Sequence, residues 1–342
     1  MIAVFDGHND ALGALQKAGD PPERFLTGLP DRQLDLARAR AGGLAGGLFA
    51  IHVPSPRAVD TSLLEVAYAE PVGEGEAAAF ALGAIGRAHA LAAASDGDVA
   101  VVTSVDELDR ARADGTLAMV LHLEGAEAIG PDLASLEAWH AVGVRSIGPV
   151  WSRANAFGHG VPFRFPSSPD TGPGLTEAGR RLVGRCAELG LAVDVSHLNA
   201  AGFADVAALD GAPIIASHCA CHALCASTRN LTDDQLRAIA RSDGIVGIVY
   251  AAAFIRPDGR DDADVPLATL VEHVRHAVEV AGVEHVGLGS DFDGATMPAE
   301  LADVAALPRL IDALRDAGFT AAEIDQIAWG NWRRILALAW GS

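Results

Sequence analysis

Leu117-Ala-Met-Val-Leu-His-Leu-Glu124 is a strongly apolar run of strand length that ends in a carboxylate. An unpaired carboxylate is costly to bury, so Glu124 calls for a salt bridge or a metal. The same pattern recurs in both directions along the chain. Ile2–Phe5 leads into His8-Asn-Asp10, Leu191–Val195 into His197, Pro213–Ala216 into His218, and His285–Gly289 into Asp291. In a parallel β/α barrel the C-terminal ends of the strands meet at one face, where active sites lie. His8, Asp10, Glu124, His197, His218 and Asp291 would converge there as three histidines and three carboxylates. That set suits a pair of divalent metals activating water.

Eight apolar runs carry the fold: Ile2–Phe5, Gly46–Val53, Leu117–Leu123, Ser146–Val150, Leu191–Val195, Pro213–Ala216, Ile245–Tyr250 and Val286–Gly289. Amphipathic stretches separate them. Within Thr176–Leu189, Ala178, Leu182, Val183, Cys186 and Leu189 fall at helical spacing behind Thr176 as a cap. Thr232-Asp-Asp-Gln235 and Thr320-Ala-Ala-Glu323 have capping-box spacing. Alternating strand and helix patterns imply parallel strands with right-handed crossovers. The expectation is an α/β chain forming a single (β/α)8 TIM-type barrel over residues 1–342. Pro54–Asp98, Ala-rich and broken near Pro71, is expected to hold one or two helices. Ser152–Gly174, rich in proline and glycine on the catalytic face, is expected to be a lid or substrate loop.

Composition excludes several classes. The net charge of −20 argues against nucleic acid or an anionic membrane as partner. No run of eighteen uninterrupted apolar residues suggests a membrane span. An apparent strand opening at Ile2 leaves no room for a signal peptide, so a cytoplasmic protein is expected. Asn230-Leu-Thr232 matches a glycosylation acceptor that such a protein would not use. Cys186, Cys219, Cys221 and Cys225 lack the paired CxxC spacing of a structural zinc ribbon and read as small buried thiols.

Taken singly, each ligand candidate has a plainer reading. His8-x-Asp10 could be a polar turn, although it puts both side chains on one side of an extended segment. His197 and His218 could be satisfied core histidines. Packing does not explain why all of them end strands. Lys17 is the only lysine, and it lies on no mid-barrel strand. A carboxylated-lysine bridge between two metals is thereby excluded, leaving Glu124 as the bridging candidate.

Further stretches, Asp6-Gly-His-Asn-Asp10, Glu124-Gly125, Gly174-Leu-Thr176, Asp194-Val-Ser-His197, Ser217-His218, Arg229-Asn230 and Gly289-Ser-Asp291-Phe-Asp293-Gly294, follow in order along nearly the whole chain. In these the sequence resembles the zinc-dependent membrane (renal) dipeptidases and their bacterial relatives. The resemblance implies a (β/α)8 barrel, two zinc ions, and hydrolysis of dipeptides with tolerance for a C-terminal D-residue. It implies one zinc on His8 and Asp10, the other on His197 and His218, and Glu124 bridging both.

Two metals about 3.5–4 Å apart would share a hydroxide as nucleophile and polarise the scissile carbonyl. Asp291 can take the proton and deliver it to the leaving amine, with Asp293 as the structural member of that pair. The resemblance implies that Arg229, by itself readable as a surface arginine, forks onto a terminal carboxylate, which would favour dipeptides over longer chains. Tyr250, ending the Ile245–Tyr250 run, is assigned with Arg229 and Trp151 to the substrate pocket. Trp151 is a departure, because the dipeptidases usually carry a carbonyl-binding histidine at that position. An indole N–H can donate but cannot titrate as imidazole does, and His159 is the candidate substitute. The expected partner is a small dipeptide, with a homodimer left open. An amidase or lactonase on a non-peptide substrate is the alternative, and a metal protein without turnover a third reading, against which Asp291 speaks.

Overall fold

The computed structural model describes residues 2–55, 70–209 and 213–341. Strand β4 (Leu117–Glu124) shows how the barrel is built. Leu117, Met119, Leu121 and Leu123 join the large apolar cluster under the helices, while Ala118 and Val120 join a smaller cluster inside the ring. Side chains alternate along a strand, so His122 and Glu124 also project inward. Strand β2 (Leu44–His52) lies parallel to β4 with Leu48 beside Val120, Ala50 beside His122 and His52 beside Glu124.

The remaining strands are β1 (Val4–Asn9), β3 (Val99–Val101), β5 (Val144–Gly148), β6 (Ala192–Val193), β7 (Ile215–Cys219), β8 (Ile245–Ile248) and β9 (Val286–Leu288). They pair in the order β6-β5-β4-β2-β1-β9-β8-β7, all parallel. Asp194 and Ile215 form a parallel bridge across the gap between β6 and β7, and the Val195 N–H donates to the Ile215 carbonyl at 2.8 Å. The ring therefore closes on eight strands, each overlapping one of the eight apolar runs. Strand β3 is an addition the sequence pattern did not reveal. It covers only the first three residues of β4, below the stretch where β5 takes over that edge.

The N-terminal end of the ring is plugged by the C-terminal segment. Trp329, Trp332, Ile335 and Leu336 pack among Phe5, Leu48, Val120, Ile215 and Ile245. The Trp332 indole N–H donates to the Leu288 carbonyl at 2.9 Å. Gly287 is needed for this fit, since a Cβ there would lie 2.5 Å from the indole nitrogen. Apolar filling at this end leaves the polar inward residues gathered at the other.

Helices cover the outside as the patterns imply. Thr176 caps the Glu177–Leu189 helix by accepting from the Gly179 N–H at 3.1 Å, and both capping boxes are present. The Glu74–Ala94 helix fills part of the Pro54–Asp98 segment, of which 56–69 lie outside the described residues. It is long and apolar enough to cross a membrane by length and composition, yet Ala77, Ala81, Ala84, Ile85, Ala88 and Leu91 pack one face into the structure.

Candidate metal centre

His8, Asp10, Glu124, His197, His218 and Asp291 meet at the C-terminal mouth of the barrel, and all are buried except Asp10, which is half-buried. One oxygen of Glu124 is the hub. Its Oε1 lies 2.8 Å from His197 Nε2, 3.6 Å from His218 Nε2 and 3.7 Å from His8 Nε2. Asp10 Oδ2 lies 3.5 Å from His8 Nε2. Asp291 belongs to the same cluster, with its ligand atom within 4.8 Å of those of His8 and His218. Asp291 holds a left-handed backbone, φ 67°, which aspartate tolerates better than most residues. Its N–H donates to the His8 carbonyl at 2.9 Å, which ties the chain beyond β9 to β1.

A serine network orients the imidazoles. Asp194 Oδ1 accepts from the Ser196 hydroxyl at 2.6 Å and the Ser217 N–H at 2.9 Å, while Oδ2 accepts from the Ser217 hydroxyl at 2.5 Å. Burial alone would raise the Asp194 carboxyl. The neighbouring His122 and the serine hydrogen bonds outweigh it and hold the group below the usual range. With its proton committed to Asp194, Ser217 Oγ accepts the Nδ1–H of His218 at 2.8 Å. Ser152 Oγ is 2.9 Å from Nδ1 of His197. Both rings thus turn Nε2 toward Glu124, as the hydrogen-bond partners behind metal-binding histidines commonly make them do.

The residues fit a metal centre on their own chemistry. His197 Nε2 and His218 Nε2 face each other at 3.1 Å. His218 gives its Nδ1–H to Ser217, and His197 Nε2 faces the donating Nη2 of Arg229 at 3.4 Å, so both Nε2 atoms carry lone pairs and cannot bond one another. Neither ring nitrogen of His8 has a hydrogen-bond partner among the described residues. Burial, then Asp10 and Asp291, push the Glu124 carboxyl well above the usual range. Burial pushes His197 and His218 well below theirs, helped by Arg229 and His8. Against the burial effect, Glu124, Asp10 and Asp291 raise His8 to about 10. Burial and the adjacent Asp10 raise Asp291 to about 7. Divalent cations resolve this conflict, since carboxylates and bare imidazole nitrogens are their ligands.

A cavity of about 850 Å³ opens over the cluster, lined by Trp151, Phe163, Phe165, Arg229 and Phe254, with Phe163 and Phe254 stacked at 6.0 Å. Ser152–Gly174 contributes Phe163, Arg164 and Phe165 to this lining. The Trp151 ring lies 5.7 Å from that of His197. Arg229 is buried, with Nη2 donating to the His218 carbonyl at 3.1 Å and Nη1 donating to the Ser196 carbonyl. Its Nε has no partner among the described residues. Asp293 lines the cavity while Oδ1 accepts from the Gln33 N–H at 2.7 Å, the structural tie expected of it.

Two expectations need correction. Tyr250 does not reach the cavity: only 1% exposed, it packs edge-on against Phe292 at 5.7 Å, because the chain leaves β8 at Ile248 and turns the ring into the core. His159 is no substitute at the site either, since it is absent from the cavity lining and its Nδ1 lies 3.4 Å from the Gly174 carbonyl. The residue missed was His52. It lines the cavity, and the inward alternation Gly46, Leu48, Ala50, His52 within its apolar run was the signal for it.

Comparison with known proteins agrees with this geometry. Residues 1–339 match the family model of membrane dipeptidase, peptidase family M19. A Klebsiella pneumoniae protein from the pqqA 5′ region is 49% identical over 250 residues, 73% of this chain and 92% of that protein. A crystal structure of a Rhodobacter sphaeroides metallopeptidase, liganded with a phosphinate mimic of the dipeptide L-Ala-D-Ala, superposes with a TM-score of 0.97 at 45% identity, covering 99% of each chain. A crystal structure of the M19 metallopeptidase named dipeptidase AC gives a TM-score of 0.95 at 45% identity over 100% of this chain and 99% of its own. The chain belongs to the membrane dipeptidase family of metallopeptidases.

Proposed function

We propose that this dipeptidase works with two zinc ions, one held by His8 and Asp10, the other by His197 and His218, with Glu124 shared between them. The carrying observation is that three imidazole Nε2 atoms surround a single Glu124 oxygen at 2.8 to 3.7 Å. When bound, such ions supply an activated water and polarise the scissile carbonyl. The protein's own groups do the rest. Hydrolysis adds the water oxygen to the carbonyl carbon and a proton to the departing nitrogen, and Asp291 carries that proton between them.

Arg229 selects the substrate's end. Nη1 donates to the Ser196 carbonyl, and Nη2 donates to the His218 carbonyl and faces His197 Nε2 at 3.4 Å, so Nε is the donor left to receive a carboxylate. A free C-terminus close to the scissile bond satisfies this, which favours dipeptides. Trp151 contributes a flat apolar wall that favours small side chains. The mimic of L-Ala-D-Ala held by the Rhodobacter relative supports acceptance of a C-terminal D-residue here too.

The test is a panel of dipeptides ending in L- or D-residues, with the matching C-terminal amides, incubated with zinc-loaded protein and scored for free amino acids. Cleavage of small dipeptides, D-terminal ones included, and poor cleavage of the amides are expected. Equal cleavage of acids and amides would remove Arg229 from this role. No cleavage of any dipeptide would refute the reading.

A further inference from the structure

His52 stands outside the proposed ligand set yet projects into the same space. It ends β2 in register with Glu124 on β4, so both side chains enter the barrel mouth side by side. It lines the cavity, and its ring centroid lies 4.5 Å from that of Trp151 at an interplanar angle of 39°. Its Nε2 is buried and has no hydrogen-bond partner among the described residues. Among those same residues, the groups of side chains close enough to share an ion do not include it.

The strand end is held firmly. Arg153 Nη2 donates to the Val53 carbonyl at 2.8 Å, Nε donates to Glu127 at 2.8 Å, and the guanidinium lies 5.3 Å from the Trp151 ring centroid. A buried polar atom left without a partner costs about 1–3 kcal/mol. Here that atom belongs to a residue that lines the cavity beside the proposed metal ligands.

Imidazole in either charge state offers at least one N–H. His52 and Arg229 both line the cavity over the metal cluster, and His52 is in register with Glu124, so a dipeptide whose carboxylate is on Arg229 would bring its scissile carbonyl between them. We propose that His52 donates a hydrogen bond to that carbonyl oxygen and stabilises the negative charge it gains during hydrolysis, with Trp151 bracing the ring. This assignment rests on the dipeptidase reading above. Donors aimed at a developing oxyanion contribute roughly 10²–10³-fold in kcat.

Zinc-loaded wild type, His52→Phe and His52→Gln are compared on L-Ala-D-Ala, with zinc content measured for each. The phosphinate mimic of that dipeptide is the binding probe. His52→Phe keeps a ring against Trp151 but loses the donor, so kcat falls about 10²-fold or more. KM and zinc content stay near wild type, and phosphinate affinity falls along with kcat. His52→Gln retains an N–H and recovers part of both. Wild-type kcat and phosphinate affinity in His52→Phe would overturn the assignment, as would a loss explained by lost zinc. If wild type cleaves no dipeptide, the reading beneath it fails instead; an active wild type with an unaffected His52→Phe sinks His52 alone.

Discussion

Replacing Ser217 by alanine tests whether the network beneath the metal cluster governs metal affinity. Ser217 is wholly buried, and its hydroxyl donates to Asp194 Oδ2 at 2.5 Å, accepts from His218 Nδ1 at 2.8 Å and lies 3.1 Å from Ser196 Oγ. The bond to the ionised carboxylate is worth about 1.5–3 kcal/mol, and orphaning the His218 N–H costs about 1–3 kcal/mol. These overlap, so a stability loss of roughly 3 kcal/mol is expected by denaturant unfolding of the metal-free protein. Zinc affinity responds separately. Losing such an outer partner weakens a metal about 10–100-fold, and only the ion held by His218 and His197 should be affected. Competition titration against a chromophoric chelator reads both affinities. A variant that loses stability while keeping both wild-type zinc affinities would show that the network only packs the barrel, refuting the reasoning.

Asp291→Asn keeps the shape and removes the proton carrier, so kcat on a good dipeptide should fall roughly 10²-fold or more with zinc content unchanged; a small effect assigns the proton transfer elsewhere. Trp151→His should keep fold and metal while admitting bulkier dipeptides, and unchanged selectivity in steady-state kinetics would remove the indole wall from substrate recognition. His273 gives a pH test away from the metal site. Its Nδ1 accepts from the Cys221 N–H at 3.0 Å, its Nε2 bonds the Ile255 carbonyl at 3.0 Å, and burial pushes it down to about 4. A depressed histidine stabilises the fold above its unfolded value near 6.5 and loses that contribution as pH falls toward 4. Relative to His273→Gln, wild type should lose about 3 kcal/mol between pH 7 and pH 4, because each tenfold change in proton affinity is worth ~1.4 kcal/mol. A constant difference across that window would refute it.

The barrel was legible because its strands are apolar and its functional groups stand where they end. Glu124, His197 and His218 could be placed together at the barrel mouth from position alone. What blurred the boundaries was polar residues inside the strands. Strand β1 runs to Asn9, beyond the apolar Ile2–Phe5, because Asp6 accepts from the Ser290 N–H at 2.6 Å and its hydroxyl at 2.7 Å, satisfying a polar group inside the strand. Strand β7 likewise continues through Ser217 and His218. Strand β3 escaped because Val99–Val101 is too short to show alternation and follows an Ala-rich helix. His52 was hidden inside an apolar run, where only its register with Glu124 reveals the cavity face. Tyr250 misled for the converse reason: a run's apparent end need not be the strand's end, and past Ile248 the chain has already turned. Ser152 carries no pattern in one dimension, since its partner His197 lies 45 residues away, and the bond from Ser217 to Asp194 likewise spans 23 residues.

The central claim is that Glu124 holds two ions in one cluster. Elemental analysis of zinc-loaded protein, after removal of excess metal, tests it most directly, with Glu124→Ala measured alongside. The account predicts about two zinc ions per chain in wild type, as a two-metal hydrolytic site requires, and the joint loss of both in the variant. One ion or none in wild type, or a variant that keeps a full site, would contradict it.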